Sequence, residues 1–275
     1  MTNPTKTFTS ALAQAWQDNN SLLCVGLDPD PAKFPSHLRG KPDAIFEFCS
    51  AIVDATADLA CAFKPQIAYF AANRAEDQLE ALIARIHERH PGIPVILDAK
   101  RGDIGNTSRL YAKAFFEQFS FDAVTVAPYM GRDSVAPFLE FPGKWAIVLA
   151  LTSNAGSADF QFTPQENGAP LYDKVIRSTQ QWGSPDNLMF VVGATHPEQF
   201  AAIRKTAPGH FLLVPGVGAQ GGDLAEVCRY GMTDEVGLLI NASRAILYAG
   251  SGRDFAERAR AAALELQREM AGVME

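Results

Sequence analysis

The chain has 275 residues, of which 47% are hydrophobic and 20% charged, a composition typical of a soluble globular protein with a full apolar core. Its formal net charge of −7 argues against a general attraction to nucleic acid or to anionic membranes. No apolar run reaches membrane-spanning length, and residues 1–8 lack the long apolar segment of a signal peptide. We therefore expect neither a nucleic-acid nor a membrane partner, and an anionic ligand would need positive charge concentrated at its site.

Eight short apolar runs alternate with helical patterns along the chain. A helix is predicted at 10–19, ahead of a first strand at 22–28. The later strands are predicted at 61–64, 95–100, 122–128, 145–153, 188–193, 211–215 and 236–240. The later helices are predicted at 44–59, 75–90, 104–119, 132–139, 171–182, 197–205, 224–230 and 253–270.

None of these strands shows the alternation of polar and apolar residues that a half-exposed sheet requires, so they are expected to be parallel and buried. Eight such repeats in this length match a (β/α)8 barrel, here a single domain over residues 1–275 with an extra N-terminal helix. A doubly wound sheet is the alternative fold. The longest loop, 154–169, is expected to have a functional role.

The four cysteines suggest neither a disulfide framework nor a metal site. None belongs to a CxxC pair, and no histidine lies at metal-ligand spacing from them. They are predicted to be reduced core residues of a cytoplasmic protein. These residues are Cys24, Cys49, Cys61 and Cys228.

The third predicted strand ends in a cluster of charges. Asp98 and Lys100 should point to the same side of this strand, with Cα atoms roughly 6.6 Å apart. Asp103 follows at the expected N-cap of the next helix. A strand-end ion pair and a cap would explain each residue separately. Three charges at one buried strand mouth are costly to desolvate, and together they favour a functional site.

Other polar residues also follow the predicted strands, and in a barrel all of these positions meet at the ligand-binding end. The set comprises Asp28, Lys64, Asp98, Lys100, Asp103, Thr152, Ser153, Gly216, Gly218, Gln220 and Arg244. Strands that simply end at the surface would also produce charged ends, although not this concentration. Within the set, the glycine-rich segment 216–222 and Arg244 follow the last two strands, where barrels commonly bind phosphate. A solvated surface arginine is the alternative for Arg244.

Residues 98–107 resemble the D-x-K-x-x-D-I-x-x-T signature of the orotidine 5′-phosphate decarboxylase family. Further matches to motifs of that family lie at 26–29, 63–66, 151–154, 214–218 and 243–244. The length and the 98–107 segment resemble the longer bacterial and mycobacterial branch. One departure is Ser243, which stands where the family often has glycine.

The resemblance implies the decarboxylation of orotidine 5′-monophosphate to UMP in pyrimidine synthesis, without a cofactor or a metal, by a homodimer with shared active sites. Lys100 would donate a proton to C6. Lys64, Asp98 and Asp103 would complete a network of alternating charges, with Asp103 supplied by the other subunit.

The resemblance also implies the substrate contacts. Asp28 and Lys64 would hold the ribose hydroxyls, and Thr107 would contact the nucleotide. The pyrimidine and phosphate contacts would come from Thr152, Ser153, Gly216, Gly218, Gln220 and Arg244. Loop 154–169 would contribute part of a lid.

Three other functions remain open on sequence grounds. A metal-dependent 3-keto-gulonate 6-phosphate decarboxylase would share D-x-K-x-x-D but is expected to have a glutamate in place of Lys64. A Schiff-base aldolase would use Lys64 or Lys100 as its nucleophile. A barrel that binds nucleotide phosphates without chemistry is the non-enzymatic alternative.

Overall fold

A computed structural model of the protein describes residues 8–217 and 222–274. It contains a parallel sheet of eight strands, β1 to β8 in chain order. Their bounds are Leu23–Leu27, Ala62–Pro65, Ile96–Arg101, Ala123–Val126, Trp145–Leu151, Leu188–Val192, Leu212–Pro215 and Leu238–Ala242.

Helices α1 to α11 surround the sheet. Their bounds, in chain order, are Phe8–Asn19, Ala44–Thr56, Ile67–Ala71, Glu76–Arg89, Gly105–Lys113, Arg132–Leu139, Leu171–Thr179, Pro197–Thr206, Leu224–Gly231, Arg244–Leu247 and Phe255–Met274. Among the described residues, no helix is both long and apolar enough to cross a membrane.

The sheet closes into a barrel. Neighbours in the sheet follow the order β2-β1-β8-β7-β6-β5-β4-β3, so every strand lies beside its neighbour in the chain. Isolated bridges from Phe63 to Val95 and from Gln66 to Asp98 join β2 to β3. The barrel prediction is confirmed, and the doubly wound alternative is wrong because its strand order would reverse at a switch point.

Alternate residues of each strand belong to two separate apolar cores. On β1, Leu23 and Val25 pack in the layer between sheet and helices, while Cys24 belongs to the interior cluster. Leu12 and Ala15 of α1 pack into the same interior cluster and cover its N-terminal end. Since the barrel is packed and closed at that end, a ligand has access from the C-terminal ends of the strands.

All the predicted strands and helices are present, but several bounds differ by a few residues and the short helices α3 and α10 were not predicted. Two differences are informative. The single helix expected at 104–119 is α5 followed by a π-helical turn, Ala114–Gln118. The last strand begins at Leu238 rather than 236, because Val236 and Gly237 have positive φ angles of 73° and 67° in a tight turn that starts at Thr233.

Candidate active site

A chain of three charged side chains lies at the mouth of the barrel. Lys64 ends β2, and its Nζ lies 2.8 Å from Asp98 Oδ2 on β3. Lys100 Nζ lies 2.5 Å from the other carboxylate oxygen, Oδ1. The expected common orientation of Asp98 and Lys100 is therefore confirmed. The Lys64 side chain is only 5% exposed, whereas that of Lys100 is 48% exposed, so Lys100 is the more accessible of the two ammonium groups.

Electrostatic interactions keep Asp98 and Lys64 ionised. Burial alone would raise the pKa of Asp98, but Lys64 and Lys100 outweigh it and hold that pKa well below its ordinary value. Burial would likewise lower the pKa of Lys64, but the carboxylates of Asp98 and Asp28 leave it above the ordinary value for a lysine. The site therefore has a buried, ionised carboxylate that accepts a hydrogen bond from each of the two lysine side chains.

The β3 strand is irregular where it carries these residues. Leu97 pairs with Val124 and Arg101 pairs with Val126, so β3 advances four residues while β4 advances two. Lys100 has a φ of +47°, in the left-handed region that residues other than glycine rarely adopt. Lys100 thus projects from a bulge, not from a regular strand end.

A cavity of about 750 Å³ opens beside the charge chain, a volume in the range of small-molecule sites. It brings together most of the residues that the sequence predicts for the site. Those that line it are Asp28, Lys64, Asp98, Lys100, Thr152, Ser153, Gly216 and Arg244. Leu149 and Val191 supply apolar surface. The predicted Gly218 and Gln220 lie outside the described residues.

The Tyr248 side chain holds the backbone at Asp28 and Asp30. The Tyr248 hydroxyl donates to the Asp28 carbonyl at 2.7 Å and accepts from the Asp30 N–H at 2.7 Å. Asp28 Oδ1 is buried without a hydrogen-bond partner among the described residues, and the same is true of Asn241 Oδ1 on β8. Since both residues line the cavity and a buried acceptor is costly to leave unpaired, both oxygens are available to ligand hydroxyl or amine groups.

Thr152 and Ser153 are fixed by the loop that follows them. Gln161 Oε1 accepts from the Thr152 N–H at 2.7 Å, and its Nε2 donates to the Thr152 hydroxyl at 2.8 Å. Gly193, at the end of β6, permits the close approach of Ser153, because a Cβ there would lie 2.6 Å from the Ser153 nitrogen. Loop 154–169 therefore supports the site, since its Gln161 holds Thr152 and its Asn154 lines the cavity.

The loops after β7 and β8 form the side expected to bind an anion. Gly216 has a φ of +96°, and its carbonyl accepts from the Gly222 N–H at 3.2 Å. Arg244 is exposed at the start of α10 and lines the cavity. Ser243 lies so close to Gly26 that a Cβ there would clash with its hydroxyl at 1.8 Å. Any side chain at position 26 would therefore require Ser243 to shift.

Two predicted site residues, Asp103 and Thr107, are not among the residues that line this cavity. Thr107 is exposed on α5, and Asp103 forms no ion pair within 4 Å with any described residue. The N-cap prediction for Asp103 is wrong: its Oδ1 accepts from the N–H of the next residue, Ile104, and Ile104 itself is the N-cap.

Sequence reasoning missed three residues of this region. Gln161 lies in a loop without periodicity, and Asn241 and Thr125 lie within apolar strand patterns where a small polar residue has no distinctive meaning. A polar residue on the inner side of a strand, as Asn241 is, offered the one usable signal. No described group of three or more His, Cys, Asp or Glu residues is arranged to hold a metal ion.

Comparison with known proteins gives the family. Residues 21–259 match the orotidine 5′-phosphate decarboxylase / HUMPS family. This chain belongs to that family. An orotidine 5′-phosphate decarboxylase of Dechloromonas aromatica is 62% identical over 261 residues, which cover 94% of this chain and 96% of that protein.

Two solved structures show that the similarity includes the three-dimensional fold. This chain superposes on the OMP decarboxylase of Leishmania donovani with a TM-score of 0.83 and 37% identity, covering 97% of this chain and 98% of that one. The UMP synthase of the same organism gives a TM-score of 0.86 and 37% identity over 98% of this chain, which spans 57% of that longer protein.

Proposed function

We propose that this protein decarboxylates orotidine 5′-monophosphate to UMP without a metal or an organic cofactor, and that Lys100 donates the proton to C6. One observation carries the proposal: the unbroken Lys64–Asp98–Lys100 chain, with contacts of 2.8 and 2.5 Å, at the open end of a barrel of this family. A cytoplasmic location, and a single domain over the whole chain, remain predictions.

The reaction explains why an ammonium group is needed. When the C6–CO2 bond breaks, its electron pair stays on C6, which has no adjacent electron sink. Positive charge placed in advance beside C6 lowers the barrier. Lys100 then gives a proton from Nζ to C6 and regains one from solvent, which reaches its half-exposed side chain.

The neighbouring Asp98 holds the Lys100 side chain in place. Asp98 accepts from Lys100 through one oxygen and from the buried Lys64 through the other, so the carboxylate cannot rotate without breaking an ion pair. The substrate carboxylate would meet Asp98 in the ground state, and its loss as CO2 would relieve that repulsion. Lys64 and Asp28 are assigned to the ribose hydroxyls.

The rest of the cavity matches the remaining parts of the nucleotide. Thr152 and Ser153, held by Gln161 and Gly193, are assigned to the pyrimidine. Gly216 and Arg244 are assigned to the phosphate, together with Gly218 and Gln220 beyond the described residues. Binding energy from the phosphate can then be used to order the site around C6.

A homodimer would complete the site. Asp103 and Thr107 stand outside the cavity of their own chain, beside an unusually apolar exposed surface. Ile104, Leu110, Tyr129 and Met130 of that surface are 56%, 58%, 87% and 49% exposed. A second copy packed on this surface would cover it and bring its Asp103 and Thr107 to the neighbouring site. The apolar exposure supports this arrangement.

The direct test is the loss of orotidine 5′-monophosphate absorbance on adding protein, run with and without EDTA. Turnover that persists in EDTA supports the proposal. A requirement for Mg²⁺ would instead favour the metal-dependent decarboxylases, although the ammonium group of Lys64, bonded to Asp98, disfavours a divalent cation there. Covalent trapping of a carbonyl substrate by borohydride would favour the aldolase, and tight UMP binding without turnover would favour the binding protein.

The shared site has its own test. Lys100→Ala and Asp103→Ala subunits are each inactive alone if the proposal is right, but a mixed dimer regains one site with both residues. Activity should therefore return on mixing, to at most about a quarter of the wild-type value for random exchange of two-site dimers. Absence of recovery after subunit exchange has been verified with labelled chains would reject Asp103 as a residue supplied by the partner.

A further inference from the structure

All hydrogen-bonding positions of the Thr125 hydroxyl are used at the β3 bulge. Thr125 lies on β4 and is 1% exposed. Its Oγ1 accepts from the backbone N–H of Ala99 at 3.0 Å and of Lys100 at 2.9 Å. The same oxygen lies 3.1 Å from Asp98 Oδ1, to which it can donate. One donor and two acceptor positions are all that a threonine hydroxyl has, so this one is saturated.

The bulge needs these bonds. Between the Leu97–Val124 and Arg101–Val126 pairs, β3 has two more residues than β4, so the N–H groups of Ala99 and Lys100 lack regular partners on β4. The Thr125 hydroxyl replaces the missing ladder acceptors. It also compensates for the left-handed backbone of Lys100, a conformation that persists only where its surroundings fix it.

We propose that Thr125 is a positioning residue for the reaction: its hydroxyl fixes the bulge from which the Lys100 ammonium group reaches both Asp98 and the cavity. Thr125 is not among the residues that line the cavity, so it acts through Lys100 and Asp98 and not on the substrate. The kinetic part of this inference rests on the proposed decarboxylase function. The geometric part concerns the backbone of Lys100 alone.

A purely structural role makes different predictions. A threonine that only satisfied core hydrogen bonds would affect stability when replaced, and the folded fraction would keep its kcat. A positioning residue affects kcat far more than KM, because the phosphate and ribose contacts lie on other loops. Restoring the hydroxyl on a smaller side chain should also restore the rate.

The experiment compares Thr125→Val with Thr125→Ser. Valine keeps the shape but removes the hydroxyl, and we expect kcat to fall roughly 10²-fold, as for a small misplacement of a catalytic group, with KM close to wild type. Serine keeps the hydroxyl and should retain most of kcat. Thr56→Val is the matched control: Thr56 is 0% exposed, and its hydroxyl donates to Ile52 O at 2.8 Å within α2. That variant should keep the wild-type kcat.

Each outcome is decisive. Wild-type kcat in Thr125→Val, or an equal loss in Thr125→Ser, overturns the inference while leaving the decarboxylase proposal intact, since wild-type turnover tests that proposal separately. A crystal structure of Thr125→Val that retains a positive φ at Lys100 and its contact with Asp98 would also overturn it. If Thr125→Val does not fold, Thr125→Ala removes the same hydroxyl. If neither folds while Thr125→Ser is fully active, the hydroxyl serves folding and the inference is wrong.

Discussion

The two ends of the barrel are built on the same eight strands but accommodate charge in opposite ways. At the closed end, near the starts of the strands, the guanidinium group of Arg204 donates to the carbonyls of Gly231, His210 and Gly237 at 2.5, 2.5 and 2.6 Å. At the open end, the charged Lys64, Asp98 and Lys100 meet one another, and Asp28 Oδ1 has no partner among the described residues.

This contrast separates stability from function. At the closed end the guanidinium group of Arg204 is satisfied by the protein's own carbonyls, so its removal should affect folding. Polar groups at the open end are left partly unsatisfied and partly strained, as at Lys100, which is characteristic of sites that a ligand completes. Substitutions at the two ends should therefore change different measurable quantities.

The largest effect is expected for Lys100→Ala. If Lys100 is the proton donor, the loss of its proton and its positive charge should lower kcat by about 10⁴-fold or more. UMP affinity and the unfolding temperature should change little, because the side chain is half exposed and Asp98 keeps its bond to Lys64. Steady-state kinetics, UMP titration and thermal unfolding measure the three quantities.

Lys205→Ala, at an exposed position of α8, is the control for removing one lysine and should leave kcat unchanged. Near-normal turnover in Lys100→Ala would disprove the proton-donor role. A large loss of stability would instead show that the open end contributes to folding, against the contrast drawn between the two ends.

The sequence predicts the strands and the charged residues at the open end better than it predicts the β3 bulge that positions those charges. Apolar runs bounded by Gly and Pro identify each strand because burial on both faces leaves few alternatives. The charges of Asp98 and Lys100 stand out because ionised groups rarely follow a buried strand without reason.

The bulge between these charges could not be predicted in the same way. It depends on the pairing of β3 with β4, a long-range register that a single sequence does not encode locally. Thr125 therefore looks like an ordinary strand residue. Asp103 looked like a helix cap because Asp suits that position, but its carboxylate bonds to the adjacent N–H and the helix begins later.

The closed end can be tested through Arg204→Leu. Leucine would leave the carbonyls of Gly231, His210 and Gly237 without their donor, and we expect a loss of about 3 kcal/mol in the free energy of unfolding. Burial lowers the pKa of Arg204 to about 10, so the lost group is charged at neutral pH. Urea denaturation measures the loss, and kcat per folded molecule should remain at the wild-type value.

Arg177→Leu is the matched control on a neighbouring helix. Arg177 forms an exposed ion pair with Asp173 at 2.7 Å, a type of contact worth at most about 1 kcal/mol. Equal losses of unfolding free energy in the two variants would show that the carbonyl contacts of Arg204 stabilise the fold no more than an exposed ion pair does. A fall in kcat for folded Arg204→Leu would show that the two ends are coupled.

Arg244→Ala should mainly weaken substrate binding at the open end. If the guanidinium group binds phosphate, its removal should raise KM by about 10²-fold with a much smaller change in kcat. UMP affinity should fall in parallel, whereas uridine, which lacks the phosphate, should bind both proteins equally. Equal weakening of UMP and uridine would contradict the phosphate assignment.

The smallest expected effect is a pH dependence that arises at the closed end. Both ring nitrogens of His210 are buried without partners among the described residues, and burial, assisted by the charge of Arg204, lowers the pKa of His210 to about 4. Between pH 6.5 and 4 the unfolded chain thus binds a proton that the folded chain excludes, so the free energy of unfolding decreases as the pH falls through this range. The contribution is about 2 kcal/mol when allowance is made for solvent that still reaches the ring.

His210→Phe, whose ring can keep the contact with Phe190, should remove this part of the slope in urea denaturation at pH 6.5 and 4.5, and His37→Gln should retain it. An unchanged slope in His210→Phe would show that the closed end tolerates a charged imidazole, and the contrast between the two ends would then rest on Arg204 alone.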